Sequence, residues 1–185
     1  MIDLVKVLDE QIERERKGAR PAGTENWASE AGHSCERYLV LVRLRPELAE
    51  AIPIGREKVF REGRLHEKDV IQRLWDAGLR VVELETSFRW ERFQIAGRID
   101  GFVVVNGEKV PLEIKAVSPA VFRVVERLQG LELLRSSLIW VRRYPAQILL
   151  YLMMANKEKG ILLFKDKASG NFSQKNFELS SEALD

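Results

Sequence analysis

Apolar residues recur at helical spacing from the first positions. Ile2, Leu4, Val5, Leu8 and Ile12 share one face, which predicts an amphipathic helix over residues 2–17. RPAGTENWASEAGHS (20–34) is rich in small and turn-forming residues and reads as a loop, and CERYLVLVRLRPELA (35–49) as a short helix halted near Pro46. Residues 55–77 return to helical spacing, with Val70, Leu74 and Trp75 as apolar positions and Gly78 placed to end the helix. At Arg80 the period changes from 3.6 to two. RVVELETSFRW (80–90) and FQIAGRIDGFVVV (93–105) alternate β-branched and aromatic residues with polar ones and read as strands. Asn106–Gly107 predicts a two-residue type I′ turn, and KVPLEIKAV (109–117) returns as the next strand. Residues 118–144 are helical but interrupted by Gly130; PAQILLYLMMANKEKG (145–160) is a firmer helix opening on Pro145 and ending at Gly160. Two further strands flank ASGN at 168–171.

Helices, a three-strand meander, a helix and more strands give an α/β or α+β protein. Its 185 residues, 45% hydrophobic and 31% charged, suffice for one domain with a core and argue against disorder. A formal charge of +2 sets up no global basic field, so any nucleic-acid surface must be local. The lone Cys35 excludes an intramolecular disulfide and a multi-cysteine metal site within the chain. No apolar run reaches the length of a membrane span and the first twenty residues are too acidic for a signal or transit peptide, so a soluble, cytoplasmic protein is expected. The NFS at 171–173 is read as a chance glycosylation match.

The meander contains the candidate chemistry. A two-residue turn at Asn106–Gly107 pairs Val105 with Glu108, and counting outward places Asp100 opposite Glu113. Glu113 and Lys115, two apart, share that face. Opposed Cβ atoms lie about 4.5–5.5 Å apart, so two carboxylates there repel unless one is protonated or a cation lies between them. Lys115 is one such cation; a divalent metal, Mg²⁺ or Mn²⁺, is the more economical one for hard oxygen ligands. Acids holding a metal beside a lysine suit phosphodiester hydrolysis. The competing reading is a solvated charged strip on a half-exposed hairpin. His66 falls four residues before Val70 on the inward face of its helix, as a core histidine or as an additional ligand. Gln147 and Tyr151, at i and i+4, project together, either toward such a site or as the polar edge of an amphipathic helix.

G-x-x-H at 63–66, G-R-I-D at 97–100, E-I-K at 113–115 and Q-x-x-x-Y at 147–151 together resemble the ordered motifs of the RecB-like branch of PD-(D/E)XK nucleases, which includes the CRISPR-associated exonucleases. The resemblance implies a restriction-endonuclease-like core, a central mixed sheet flanked by helices, with added N-terminal helices. It implies a single nuclease domain over 1–185: an N-terminal helical part at 1–55 and a core at 56–185 carrying a helical insertion at about 119–145. It carries metal-ligand roles to His66, Asp100, Glu113 and the carbonyl of Ile114, the catalytic-lysine role to Lys115, and DNA contact or positioning to Gln147 and Tyr151. Many relatives are end-processing exonucleases of recombination, phage replication or CRISPR adaptation. The CRISPR-associated members carry four cysteines around an iron–sulfur cluster. Here SCERYLVL (34–41) supplies only Cys35, so no such cluster is expected, and no helicase portion is expected either.

Between E-I-K and Q-x-x-x-Y, Arg123, Arg127, Arg135, Arg142 and Arg143 face Glu126 and Glu132, a local excess of three positive charges, with Phe122 and Trp140 interleaved. This segment reads either as a wall where a strand enters, with Arg142 and Arg143 on phosphates and aromatics on bases, or as a lid whose Leu131, Leu133, Leu134 and Leu138 pack on the core. Arg37 is a surface arginine or a phosphate contact; Trp27 and Trp75 read as core anchors, and Glu83 and Glu85 receive no role. The expected activity is metal-dependent DNA exonuclease, on ends or single strands, alone, as a homo-oligomer or with a recruiting partner. An endonuclease of the same superfamily and an inactive DNA-binding module are the alternatives.

Overall fold

The computed structural model describes residues 2–15, 23, 25–50 and 52–179. Helix α1 (Leu4–Glu15) is followed by the two-residue strand β1 (Asn26–Trp27), α2 (Glu36–Leu44) and the long α3 (Ile54–Asp76). Strands β2 (Val81–Val82), β3 (Thr86–Trp90), β4 (Ile95–Ile99), β5 (Gly101–Val105) and β6 (Glu108–Val117) come next. Helix α4 (Pro119–Arg127), 3₁₀ turns at Gly130–Arg135 and Ile139–Arg142, helix α5 (Arg143–Ala155), β7 (Lys159–Asp166) and β8 (Phe172–Glu178) complete the chain.

The strands form a five-stranded mixed sheet ordered β2-β5-β6-β7-β8 and a small sheet ordered β1-β4-β3. Only β6 and β7 run parallel in the larger sheet, as their connection through α4 and α5 requires. Strand β6 is two-faced. Leu112 and Ile114 pack with Val70 and Ile71 of α3, while its other face lies under α4 and α5, where Val117, Phe122, Val125, Ile148, Leu152 and Phe164 form the main core.

Several boundaries differ from the sequence expectation. RVVELETSFRW is two strands in two sheets, broken where Glu83 and Glu85 adopt φ of 51° and 55°. FQIAGRIDGFVVV also divides, at Asp100, where the chain leaves the small sheet for the large one. Helix α5 ends at Asn156, whose left-handed φ of 50° terminates it, and Gly160 lies in β7 against Leu152. Trp27 and Trp75 are 41% and 42% exposed and do not anchor the core; the Trp75 indole donates to the Val81 carbonyl at the protein's rim. Helix α1 has no fully buried residue, with Asp9 and Ile12 half-buried, and is joined to α3 by ion pairs, Lys58 with Asp9 and Arg61 with Glu15. Among the described residues no helix is long and apolar enough to cross a membrane.

Candidate active site

Asn106 and Gly107 have φ of 51° and 86°, the paired positive values of a type I′ turn. The β5–β6 ladder runs without a bulge from Val105↔Glu108 to Gly101↔Leu112, with Pro111 paired to Phe102. One further step brings Asp100 to the level of Glu113, where the chain departs for the small sheet. The edge of β6 is free from that point, and Asp100 occupies it: its Oδ2 accepts from the Ile114 amide at 2.6 Å. In extended backbone a residue's N–H and C=O point to the same edge, so the Ile114 carbonyl shares this edge with the Asp100 carboxylate.

Glu113 is 2% exposed and points to the α5 face. Its Oε1 accepts from Lys115 Nζ at 2.5 Å and from Gln147 Nε2 at 2.8 Å. Its Oε2 is buried and has no hydrogen-bond partner. Burial, reinforced by the Asp100 charge and only partly offset by Lys115, pushes the Glu113 carboxyl up to about 8. Asp100 is also raised, by burial, against the pull of Lys115 and the Ile114 amide. Burial alone would lower Lys115; the charges of Glu113 and Asp100 outweigh it and hold the ammonium above its ordinary value, over the Tyr144 ring at 5.6 Å from its centroid.

Gln147 and Tyr151 do project together, but into the protein: they are 5% and 1% exposed. The Tyr151 hydroxyl accepts from the Arg98 amide at 3.2 Å, donates to the Arg98 carbonyl at 2.8 Å and is 3.2 Å from Gln147 Nε2. Tyr151 thereby fixes the backbone two residues before Asp100, while Gln147 fixes Glu113. Gly97 makes room for this: a Cβ there would lie 2.6 Å from Tyr151 Cε1 and 2.9 Å from Ala28 Cβ.

The structure does not gather all the anticipated residues. The leading charges that act on His66 come from Lys165 and Lys167 and not from Asp100 or Glu113: burial, then those two lysines, hold its imidazole below its usual value. Its next residue, Glu67, is the side chain of α3 that senses the site: burial raises its carboxyl, the Asp100 charge raises it further, and Lys115 pulls it down. Glu67 is four residues before buried Ile71, as His66 is four before Val70, so spacing made both inward candidates. Among the described residues no three His, Cys, Asp or Glu side chains converge as a ready metal cluster.

The arginine expectations also change. Arg143 donates to the Glu30 carboxylate at 2.7 Å and the Ser29 carbonyl at 3.0 Å, and Arg142 Nε to the Ser136 carbonyl at 2.7 Å. These groups hold protein together. Phe122 is core and cannot stack on a base, whereas Trp140 is 52% exposed. Of the four leucines, Leu133 is buried and Leu138 half-buried, but Leu131 and Leu134 are exposed, so the lid reading holds for half of them.

No family model matches the sequence, and no curated protein matches it either. Solved structures do match in shape. SSO0001 aligns over 99% of this chain and 82% of its own, with a TM-score of 0.54 and 17% identity. LHK-Exo in complex with dAMP aligns over 87% and 80%, with a TM-score of 0.56 and 16% identity. A second structure of LHK-Exo, an alkaline exonuclease from Laribacter hongkongensis, aligns over 88% and 81% at 0.50 and 14%. The fold is restriction-endonuclease-like. The free edge of β6 brings the Asp100 carboxylate beside the strand that carries Glu113 and Lys115.

Proposed function

We propose that this chain is a divalent-metal-dependent DNA nuclease of the RecB-like PD-(D/E)XK kind, a single domain hydrolysing phosphodiester bonds at ends or in single strands. One observation carries this reading: Glu113 has one oxygen saturated by Lys115 and Gln147 and the other buried and bare, near a second, half-buried carboxylate, Asp100. Buried polar atoms of folded proteins rarely lack a partner, and two acids with a single ammonium remain short of positive charge. Hard oxygen donors of this kind fit Mg²⁺ or Mn²⁺. Asp100, Glu113 and the Ile114 carbonyl would hold it, with Glu67 as the contribution of α3 in place of His66. The likeness to an alkaline exonuclease supports the same reading.

When bound, the cation supplies an activated water and neutralises charge building on the phosphate. The remaining work belongs to side chains. Lys115 keeps its proton through the neutral range and presents a fixed positive charge to a developing oxyanion. Gln147 fixes the rotamer of Glu113, and Tyr151 fixes the strand that delivers Asp100.

Linear and closed circular DNA, single- and double-stranded, incubated with Mn²⁺ or with EDTA, test the proposal. Metal-dependent loss of linear substrate with circles intact is expected. Cutting of circles would make it an endonuclease, and binding without cleavage under any metal would leave a DNA-binding module. The Lys115→Ala protein should bind DNA and lose turnover.

A further inference from the structure

Outside the candidate active site, one concave surface collects three arginines that form no ion pair among the described residues. A cleft of about 390 Å³ between α4 and the turn after Gly130–Arg135 is lined by Arg123, Arg127, Arg135, Ser136, Ser137 and the apolar Leu128. Among the described residues no carboxylate lines it. Arg123, Arg127 and Arg135 are exposed and make no hydrogen bond or ion pair among the described residues. The acid whose charge senses Arg123, Asp166, is already committed to the Ala168 amide and the Ser169 hydroxyl. Three exposed guanidinium groups around one open hollow repel one another and give it a local positive potential.

We propose that this cleft is a phosphate-binding subsite that holds a nucleic-acid strand away from the scissile bond. Every polar side chain in its lining donates hydrogen bonds, and guanidinium forks with serine hydroxyls match the several oxygens of a phosphate. Arg123 and Arg127 stand one helical turn apart on α4, their Cβ atoms about 5–6 Å from each other, so they form a track rather than a point. The cleft volume lies within the roughly 300–1,000 Å³ of small-ligand sites, more than one isolated phosphate fills. Its position suits the task. Four extended residues and one helical turn separate Lys115 from Arg123, a reach of at most about 20 Å. Along a stacked duplex, at about 3.4 Å of axis per nucleotide in each strand, that is at most about six nucleotides. Arg142, whose Nε holds the Ser136 carbonyl, supports the wall without lining it.

The inference rests on the nuclease reading for the nature of the strand, and binding without turnover separates the two. A fluorescent single-stranded oligonucleotide is titrated in EDTA across a salt series against the wild type, Arg123→Ala/Arg127→Ala, Arg135→Ala and, as a control, the paired Arg143→Ala; circular dichroism checks that each is folded. The expected result is weaker binding by the cleft variants, with the log–log salt slope reduced by about 0.7 for each phosphate contact removed, and a wild-type slope for Arg143→Ala. An unchanged slope in the cleft variants overturns the proposal, even if the protein cuts DNA. Inorganic phosphate or dAMP binding lost in those variants while their oligonucleotide slope stays wild-type would make the cleft a small-anion site and likewise overturn it. Strand binding that depends on the cleft, in a protein that cleaves nothing with any metal, keeps this subsite and removes the nuclease assignment instead.

Discussion

Gln147 Nε2 and Lys115 Nζ converge on the same oxygen of Glu113, at 2.8 and 2.5 Å, and leave the other oxygen bare. The contact from Gln147 crosses from α5 to the central strand, so the orientation of one carboxylate is set by an element that begins 30 residues after Glu113. A partner that orients a metal-binding carboxylate typically controls 10–100-fold of affinity or activity. Gln147→Ala should therefore weaken Mn²⁺ binding, followed by calorimetry, by about that factor. Its Km for DNA should stay near wild type, because Gln147 is buried and has no face to offer a substrate. A change confined to Km would instead return Gln147 to direct substrate contact.

Glu67 and His66 present a choice that one measurement settles. Glu67 senses Asp100 and Lys115, whereas His66 senses Lys165 and Lys167. Glu67→Gln is expected to reduce Mn²⁺ affinity about tenfold or more, a loss of at least about 1.4 kcal/mol, and His66→Ala to leave it within about twofold. The reverse order would restore His66 to the donor set.

Tyr151 and Gly97 form a fitted pair. Replacing Gly97 with Ala drives a methyl into the Tyr151 ring and the Ala28 side chain, both inside the core, and overpacking of this kind costs about 1–3 kcal/mol. Tyr151→Phe keeps the packing but strips the Arg98 amide and carbonyl of their partner, at about 1–3 kcal/mol. Thermal unfolding should show both losses. Adding Tyr151→Ala to Gly97→Ala should cost less than the two separately, since the clash disappears with the ring.

The register of the hairpin was legible in the sequence because Asn106–Gly107 admits essentially one turn type, and that alone set Asp100 against Glu113. The change of sheet at Asp100 was not, because residues 93–105 read as one extended run and the switch depends on which neighbours its two halves find. The choice between His66 and Glu67 was equally hidden: both lie on the inward face of α3, and only the line along which the helix crosses the sheet separates them. Arg143 looked like a free phosphate contact because its partner, Glu30, is 113 residues away in sequence. Trp27 and Trp75 looked like core because of their size, yet each lies at a rim.

The shifted carboxyls predict how stability depends on pH when the metal is removed. Glu113 holds its proton up to about 8 in the folded protein, against 4.5 in the unfolded chain, and Asp100 and Glu67 shift in the same direction. Between those values the folded state binds more protons than the unfolded one, so stability falls as pH rises from about 4.5 to about 8. Lys115, raised from 10.5, keeps its proton in both states across this window and contributes no slope there. In EDTA, denaturant titrations should thus give a lower unfolding free energy at pH 8 than at pH 6, and Glu113→Gln should flatten the difference. A cation that takes the bare Oε2 must displace the Glu113 proton, so Mn²⁺ binding at pH 7 should release protons and strengthen toward pH 8. Calorimetry in buffers of different ionisation enthalpy reads that release directly. Binding of Mn²⁺ with no proton released from the wild type would mean that the metal sits elsewhere than on Glu113.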